Sequence, residues 1–258
     1  MRIAFFDSGI GGLTVLAEAQ RQQPAHEYLY YADSEHAPYG AKPAAEVRDR
    51  VLQAADFLAG QQLDALVIAC NTATSVCIKE LRSRFSFPVI GMEPAVKPAL
   101  QRASKKRVMV MATSLTLQES KLSQLLQRLD GSEQTDKLAM DMLVTFAEQQ
   151  TFDSPEVTRY LQHQLSHYRL ADYSAVVLGC THFIYFRNAL QTMVGDSVSL
   201  IDGNQGTVKQ LFALLQQTND EHSQHSKLRR EGAAPLRVFR SGIEQPLAPY
   251  LELLRRCM

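Results

Sequence analysis

Two segments of the chain, ALVIACNTAT (65–74) and AVVLGCTHF (175–183), run through apolar residues into a cysteine that small polar residues follow. The second places a histidine, His182, two positions after its cysteine. Cys70 and Cys180 thus both stand where a buried strand hands over to the start of a helix. The free N–H groups and positive dipole end of such a start stabilise a thiolate, so both thiols are expected to titrate below the ordinary cysteine value. Cysteine is also a small core residue common in strands, and one alone would read as packing. Two in matching settings point to a reactive pair, and the imidazole of His182 can accept or relay a thiol proton.

The remaining cysteines lack that setting. Cys77 lies seven residues after Cys70 on the following helix and Cys257 is penultimate, so both are read as structural. No CxxC spacing exists to support a redox dithiol or a zinc ribbon. Four cysteines could form two disulfides, but the N-terminal apolar run closes on Asp7 and is too short for a signal-peptide core. A cytoplasmic protein with reduced thiols is expected.

Further candidates sit at other strand tips. In DSGIGG (7–12), Asp7 and Ser8 end a strand and the glycines open a helix, as in an anion-binding turn or a plain tight turn capped by Asp7. Thr14 occupies the third glycine position of a dinucleotide fingerprint, so that reading is weak. ADSEHAPYG (32–40) carries Asp33, His36, Tyr39 and Gly40; its Pro-Tyr-Gly turn can aim backbone amides at a carboxylate or simply reverse the chain. His163, His167, His222 and His225 lie in polar settings and receive no role.

These tips must be positioned by strands. Short β-branched or aromatic runs at 2–6, 28–32, 65–69, 88–91, 107–112, 174–179, 197–202 and 236–240 alternate with helical patterns, the signature of parallel sheets covered by helices. Residues 44–60 form the clearest helix: Val47, Val51, Leu52, Ala55 and Leu58 share a face and Gly60 sits at its end. RIAFFDSG and RVMVMATS each run from an arginine through a strand into small polar residues, and each precedes its cysteine segment by roughly 65 residues, which suggests two related half-molecules. Ligands of open α/β sheets bind at the carboxyl ends of strands, so the two cysteines could face each other across a cleft between the halves. The expected fold class is α/β, with two pseudo-symmetric domains covering 1–97 with 207–258, and 98–206. Residues 221–235 read as an exposed loop, and the strand and helix after it are expected to return to the first half.

Bulk composition is that of an ordinary globular chain, 45% hydrophobic and 21% charged over 258 residues. Its 27 basic and 27 acidic residues cancel, which argues against nucleic acid as a main partner. No run approaches the ~20 apolar residues of a membrane span.

Taken together, FDSGIGGLTVL (6–16), YYADSEHAPYGAK (30–42), ALVIACNTAT, PVIGMEPAVKPA (88–99), ATSLT (112–116), VVLGCTHF (176–183) and IDGNQGTV followed by VFRSG resemble the glutamate racemases of the cofactor-independent aspartate/glutamate racemase superfamily. The resemblance spans nearly the whole chain. It implies inversion of glutamate without pyridoxal cofactor or metal, by two bases on opposite faces of the α-carbon. Cys70 is assigned to proton exchange with the D-enantiomer and Cys180 with the L-enantiomer. Asp7 and His182 assist the neighbouring thiols, and Asp33 is a further supporting acid. Substrate contacts carry over to Asp7, Ser8, Tyr39, Gly40, Asn71, Thr72, Thr116 and Thr181. The product implies supply of D-glutamate for peptidoglycan synthesis, and a homodimer is a further possibility that such a family raises.

The chain departs from the family at three places. Phe183-Ile184-Tyr185 lacks the proline that usually follows the histidine segment, the second-domain turn reads Thr113-Ser114-Leu115-Thr116, and 129–154 contains no Cys-Pro segment. Rival readings are an aspartate racemase, whose members generally carry glutamate in place of His182, and a non-catalytic acid-binding protein, which would need neither thiol.

Overall fold

A computed structural model describes residues 1–103, 106–221 and 236–257. Two sheets organise it. The strands are β1 (Arg2–Asp7), β2 (Glu27–Ala32), β3 (Ala65–Ile68), β4 (Val89–Gly91), β5 (Arg107–Ala112), β6 (Thr135–Ala139), β7 (Tyr173–Leu178), β8 (Ser199–Ile201), β9 (Leu236–Arg240) and β10 (Ile243–Gln245). The first sheet has the order β10-β9-β2-β1-β3-β4 and the second β6-β5-β7-β8. All pairings are parallel except that of β9 with β10.

Helices α1 (Leu13–Gln22), α2 (Ala44–Ala59), α3 (Asn71–Arg84), α4 (Val96–Arg102), α5 (Ser114–Gln118) and α6 (Ser120–Arg128) cover the early strands. They are followed by α7 (Asp141–Glu148), α8 (Pro155–Leu165), α9 (Arg187–Val194), α10 (Asn204–Glu221) and α11 (Ala248–Cys257). Among the described residues no helix is long and apolar enough to cross a membrane.

The repeat inferred from sequence is visible in topology. Strand order β2-β1-β3-β4 in the first sheet is reproduced as β6-β5-β7-β8 in the second. β3 and β7, the strands that lead to Cys70 and Cys180, therefore occupy corresponding positions. The C-terminal segment returns to the first sheet: β9 pairs parallel with β2, Tyr28 opposite Leu236 through Ala32 opposite Arg240. The loop expected over 221–235 lies, beyond its first residue, outside the described residues, as do His222 and His225.

Continuous apolar runs mark strands covered on both faces. Ile3, Ala4, Phe5 and Phe6 of β1 are fully buried, as are Ala65 to Ile68 of β3. Each large side chain so buried contributes about 1.5–3 kcal/mol. Both strands consequently hold their C-terminal tips in fixed positions. Helix α2 buries Val47, Val51, Ala54, Ala55 and Leu58, while Leu52 is half-buried beside them; Gly60 is its C-cap.

Two strands escaped the sequence reading. β6 is an edge strand reading TDKLA, whose Asp136 is held by Arg107 at 2.6 and 2.7 Å and by Tyr173 Oη at 2.5 Å. β10 is a three-residue edge strand. Edges satisfy polar side chains outward and need no apolar run.

Candidate active site

Asp7 closes β1 and is wholly buried. Its Oδ1 accepts the Gly9 amide at 3.0 Å and the Ser8 hydroxyl at 3.4 Å, and its Oδ2 accepts Thr181 Oγ1 at 3.0 Å. One carboxylate thus joins the strand tip of the first sheet to the segment after β7 of the second. Burial raises the Asp7 carboxyl above its ordinary value, opposed by the charge of His182 and by the bonds from Gly9 and Thr181. A carboxyl so placed is able to hold a proton.

Cys70 is the N-cap of α3 and accepts the Ala73 amide at 3.4 Å. Its thiol donates to Ser8 Oγ at 3.7 Å, so Ser8 stands between Cys70 and Asp7. The expected lowering of its pKa is overturned. Burial first, then the charge of Asp7, push the Cys70 thiol well above the ordinary cysteine value; the helix-start amide of Ala73 and the Ser8 hydroxyl oppose this and are outweighed. Desolvation penalises the thiolate more than one amide favours it.

Cys180 precedes a short 3-10 helix, Thr181–Phe186, in place of the regular helix start expected from the sequence, and its side chain makes no cap bond there. Its Sγ faces His182 Nδ1 at 3.7 Å. His182 is buried, and its Nε2 lies 2.7 Å from Glu148 Oε1. Burial alone would pull the imidazole down, but the bonds and charges of Cys180 and Glu148 outweigh it and hold His182 well above the ordinary histidine value. All four cysteines are free thiols.

The glycines of 7–12 permit close approach. A Cβ on Gly9 would stand 1.8 Å from Glu148 Oε1, and one on Gly11 would stand 2.4 Å from Thr181 Oγ1 and 2.5 Å from His182 Nδ1. Glu148 Oε1 also accepts the Ile10 amide at 2.7 Å. This loop is therefore packed against residues of the second half.

The other candidates form two adjoining groups. Thr72 Oγ1 lies 2.9 Å from Thr113 Oγ1 and 3.1 Å from Thr116 Oγ1, and the latter two are 2.9 Å apart, giving a buried triangle of hydroxyls from both halves. A Cβ on Gly40 would meet Thr113 Cβ at 2.5 Å and Asp141 Oδ1 at 2.7 Å, so this turn abuts the triangle. Tyr39 Oη donates to Asp33 Oδ2 at 2.6 Å, and burial together with the Asp33 charge keeps the phenol protonated. Asn71 donates its amide to Met92 O at 3.1 Å, leaving its buried Oδ1 without a partner.

Sequence reasoning missed Glu148, Thr113 and Asp141, whose carboxylate accepts the Ser114 amide at 3.0 Å. Glu148 and Asp141 lie in the stretch that departs from the family pattern, at the two ends of α7. Thr113 had a usable signal, the N-cap position before α5, where its hydroxyl accepts the Thr116 amide at 3.4 Å. Among the described residues no group of three His, Cys, Asp or Glu could hold a metal ion.

Two parallel α/β halves of like topology, with an acid, two thiols and an imidazole gathered at their strand tips, define the architecture of the amino-acid racemase type. The chain belongs to the Asp/Glu/hydantoin racemase family, whose sequence profile matches residues 13–211. It is 44% identical to the glutamate racemase of Halothermothrix orenii over 257 residues, 99% of each chain. With glutamate racemase 2 of Bacillus subtilis it shares 48% over 221 residues, 85% of this chain and 83% of that one. Among solved structures, the glutamate racemase of Campylobacter jejuni superposes with a TM-score of 0.77 at 26% identity, covering 99% of this chain and 97% of the other. The Escherichia coli enzyme, crystallised with L-glutamate and the activator UDP-MurNAc-ala, gives 0.76 at 31% identity, covering 83% and 82%.

Proposed function

We propose that the chain interconverts L- and D-glutamate by a two-thiol mechanism in which Cys70 and Cys180 address opposite faces of the α-carbon. The observation that carries this reading is the equivalence of their positions: each ends the third strand of the repeated order, and Asp7 bonded to Thr181 ties the two tips together. The sheet membership of the strands supports a division into domains 1–97 with 207–258, and 98–206, with the substrate held between the halves as part of the same proposal.

From L-glutamate, the Cys180 thiolate takes the Cα proton and becomes a thiol, while the Cys70 thiol delivers its proton to the opposite face and becomes a thiolate. The reverse reaction exchanges these roles, and no proton is gained or lost overall. The raised Cys70 thiol suits a resting acid, and Asp7, whose carboxyl burial helps keep protonated, is placed through Ser8 to return a proton to the Cys70 thiolate. His182, held well above the ordinary histidine value, stands as an imidazolium facing Cys180 Sγ at 3.7 Å. Hydroxyls of Thr72 and Thr116 and the amide of Gly40 supply donors for the two carboxylates, Asn71 Oδ1 and Asp7 supply acceptors for the ammonium, and Tyr39 and Thr181, whose single hydroxyl protons go to Asp33 and Asp7, line the site beside them. Asp33 supports Tyr39. The D-glutamate formed would serve peptidoglycan precursor synthesis.

The test is incubation of the purified chain, without added cofactor or metal, in deuterated water with L-glutamate or L-aspartate. Cα-proton loss is followed by NMR and optical activity by circular dichroism. Exchange and decay of the optical signal with glutamate alone is expected. Exchange with aspartate alone would overturn the substrate, and exchange with neither would leave an acid-binding protein or an enzyme for another acid.

A further inference from the structure

The carboxylate of Asp33 is fully occupied by side chains other than the thiols. Its Oδ2 accepts Tyr39 Oη at 2.6 Å; its Oδ1 faces His36 Nδ1 at 2.8 Å and accepts Ser241 Oγ at 3.0 Å. Asp33 therefore acts through Tyr39, and what fixes Asp33 fixes the 39–41 turn. Ser241 is the one of these partners that comes from the distant C-terminal hairpin, between β9 and β10.

The backbone of Ser241 is unusual. It sits at φ 44°, in the left-handed region, followed by Gly242 at φ 90°. That conformation is free for glycine and costs roughly 1 kcal/mol or more for a residue with a Cβ. A turn of this shape has no need of serine. The hydroxyl, however, serves both sides of the contact: it accepts the Glu35 amide at 3.3 Å and gives its own proton to Asp33. The Ser241 amide meanwhile donates to Ala32 O at 2.8 Å, extending the β2–β9 ladder whatever the side chain. Backbone placement and hydroxyl function are thus separable at this position.

We propose that Ser241 is a positioning residue for racemisation, holding Asp33 so that Tyr39 and Gly40 meet the substrate in register with the Thr72, Thr113 and Thr116 hydroxyls. The proposal rests on the reading of the site as that of a glutamate racemase. It assigns the C-terminal hairpin a part in the site, exerted through the Ser241 hydroxyl on Asp33.

Ser241→Gly separates the two roles, since it relieves the backbone and deletes the hydroxyl. Relief of the left-handed strain offsets part of the stability lost with the hydroxyl, so the variant is expected to remain folded, which thermal unfolding checks. The loss of a hydrogen bond to a charged group should lower kcat/KM for glutamate about tenfold. Because the two enantiomers are equal in free energy, the fall must be the same from L- and from D-glutamate. The decisive measurement is a double-mutant cycle with Asp33→Asn: a residue acting through Asp33 adds little once Asp33 is altered. Ser241→Ala, which keeps the strain, gives a second arm should the glycine variant misfold. Wild-type kcat/KM in Ser241→Gly, or the same tenfold loss in the Asp33→Asn background, would overturn the proposal while the racemase reading stands. A wild-type chain that turns over no glutamate would remove both.

Discussion

His182 Nε2 and Glu148 Oε1 lie 2.7 Å apart, and the same carboxylate oxygen holds the Ile10 amide at 2.7 Å. One side chain at the end of α7 thereby sets both the imidazole beside Cys180 and the glycine loop beside Asp7. The two halves of the site are coupled at this oxygen as well as through Asp7 and Thr181.

Glu148→Gln keeps an acceptor but removes the charge. His182 should fall toward its ordinary value, and the limb of the kcat/KM pH profile that reports it should move to lower pH. Activity should drop about tenfold or more, the scale of a charge-assisted bond. The sign for stability follows from linkage: a raised histidine stabilises fully below its ordinary pKa of about 6.5 and ceases to do so as pH rises through its folded value. The variant should thus be most destabilised in acid, with the gap closing in alkali. Thermal unfolding at several pH values and the rate profile check both; an unmoved limb would make Glu148 a purely structural tie.

The two thiols should behave alike under substitution and unlike Cys77. Cys70→Ala and Cys180→Ala each remove one acid–base partner, for which a loss of about 10²–10⁴-fold or more in turnover is expected with the fold intact. Cys77 is equally buried, but its Sγ donates to Ala73 O at 3.2 Å within its own helix and reaches no site residue. Cys77→Ala should retain activity and cost on the order of 1 kcal/mol of stability. Steady-state rates with circular dichroism of each variant decide this, and a fully active Cys70→Ala or Cys180→Ala would end the two-base mechanism.

Periodicity made the central strands legible because β1, β3, β5 and β7 are buried on both faces and can only be apolar. The same logic hid β6, although the repeat pointed to it: Arg107 follows Arg2 by 105 positions, and β6 begins 108 positions after β2, at Thr135 against Glu27. The candidate side chains at the tips were legible from residue type and spacing. Their electrostatics were not, because the rise of the Cys70 thiol comes from how completely the surrounding halves exclude water. Glu148 and Ser241 reach the site from 138 and 208 positions away from their partners Ile10 and Asp33, and local spacing carries no trace of such contacts.

Two glycines in loop and helix should answer oppositely to alanine. A Cβ at Gly11 would press within 2.4 Å of Thr181 Oγ1 and 2.5 Å of His182 Nδ1, both buried and both bonded elsewhere. Gly11→Ala must displace the imidazole or the hydroxyl, so it should lower kcat by about tenfold or more, since small misplacements of catalytic groups are costly. At Gly206, in the first turn of α10, an added Cβ would meet no heavy atom within 4 Å. Gly206→Ala should instead stabilise by about 0.4–1 kcal/mol through the unfolded chain. For a domain of this size that is a rise of about 1–4 °C in Tm with activity retained. Unfolding curves and rates for the pair read out both effects. Wild-type kinetics in Gly11→Ala would mean that the loop yields to the added methyl, and that the spacing between the glycine turn and His182 is not what orients the imidazole.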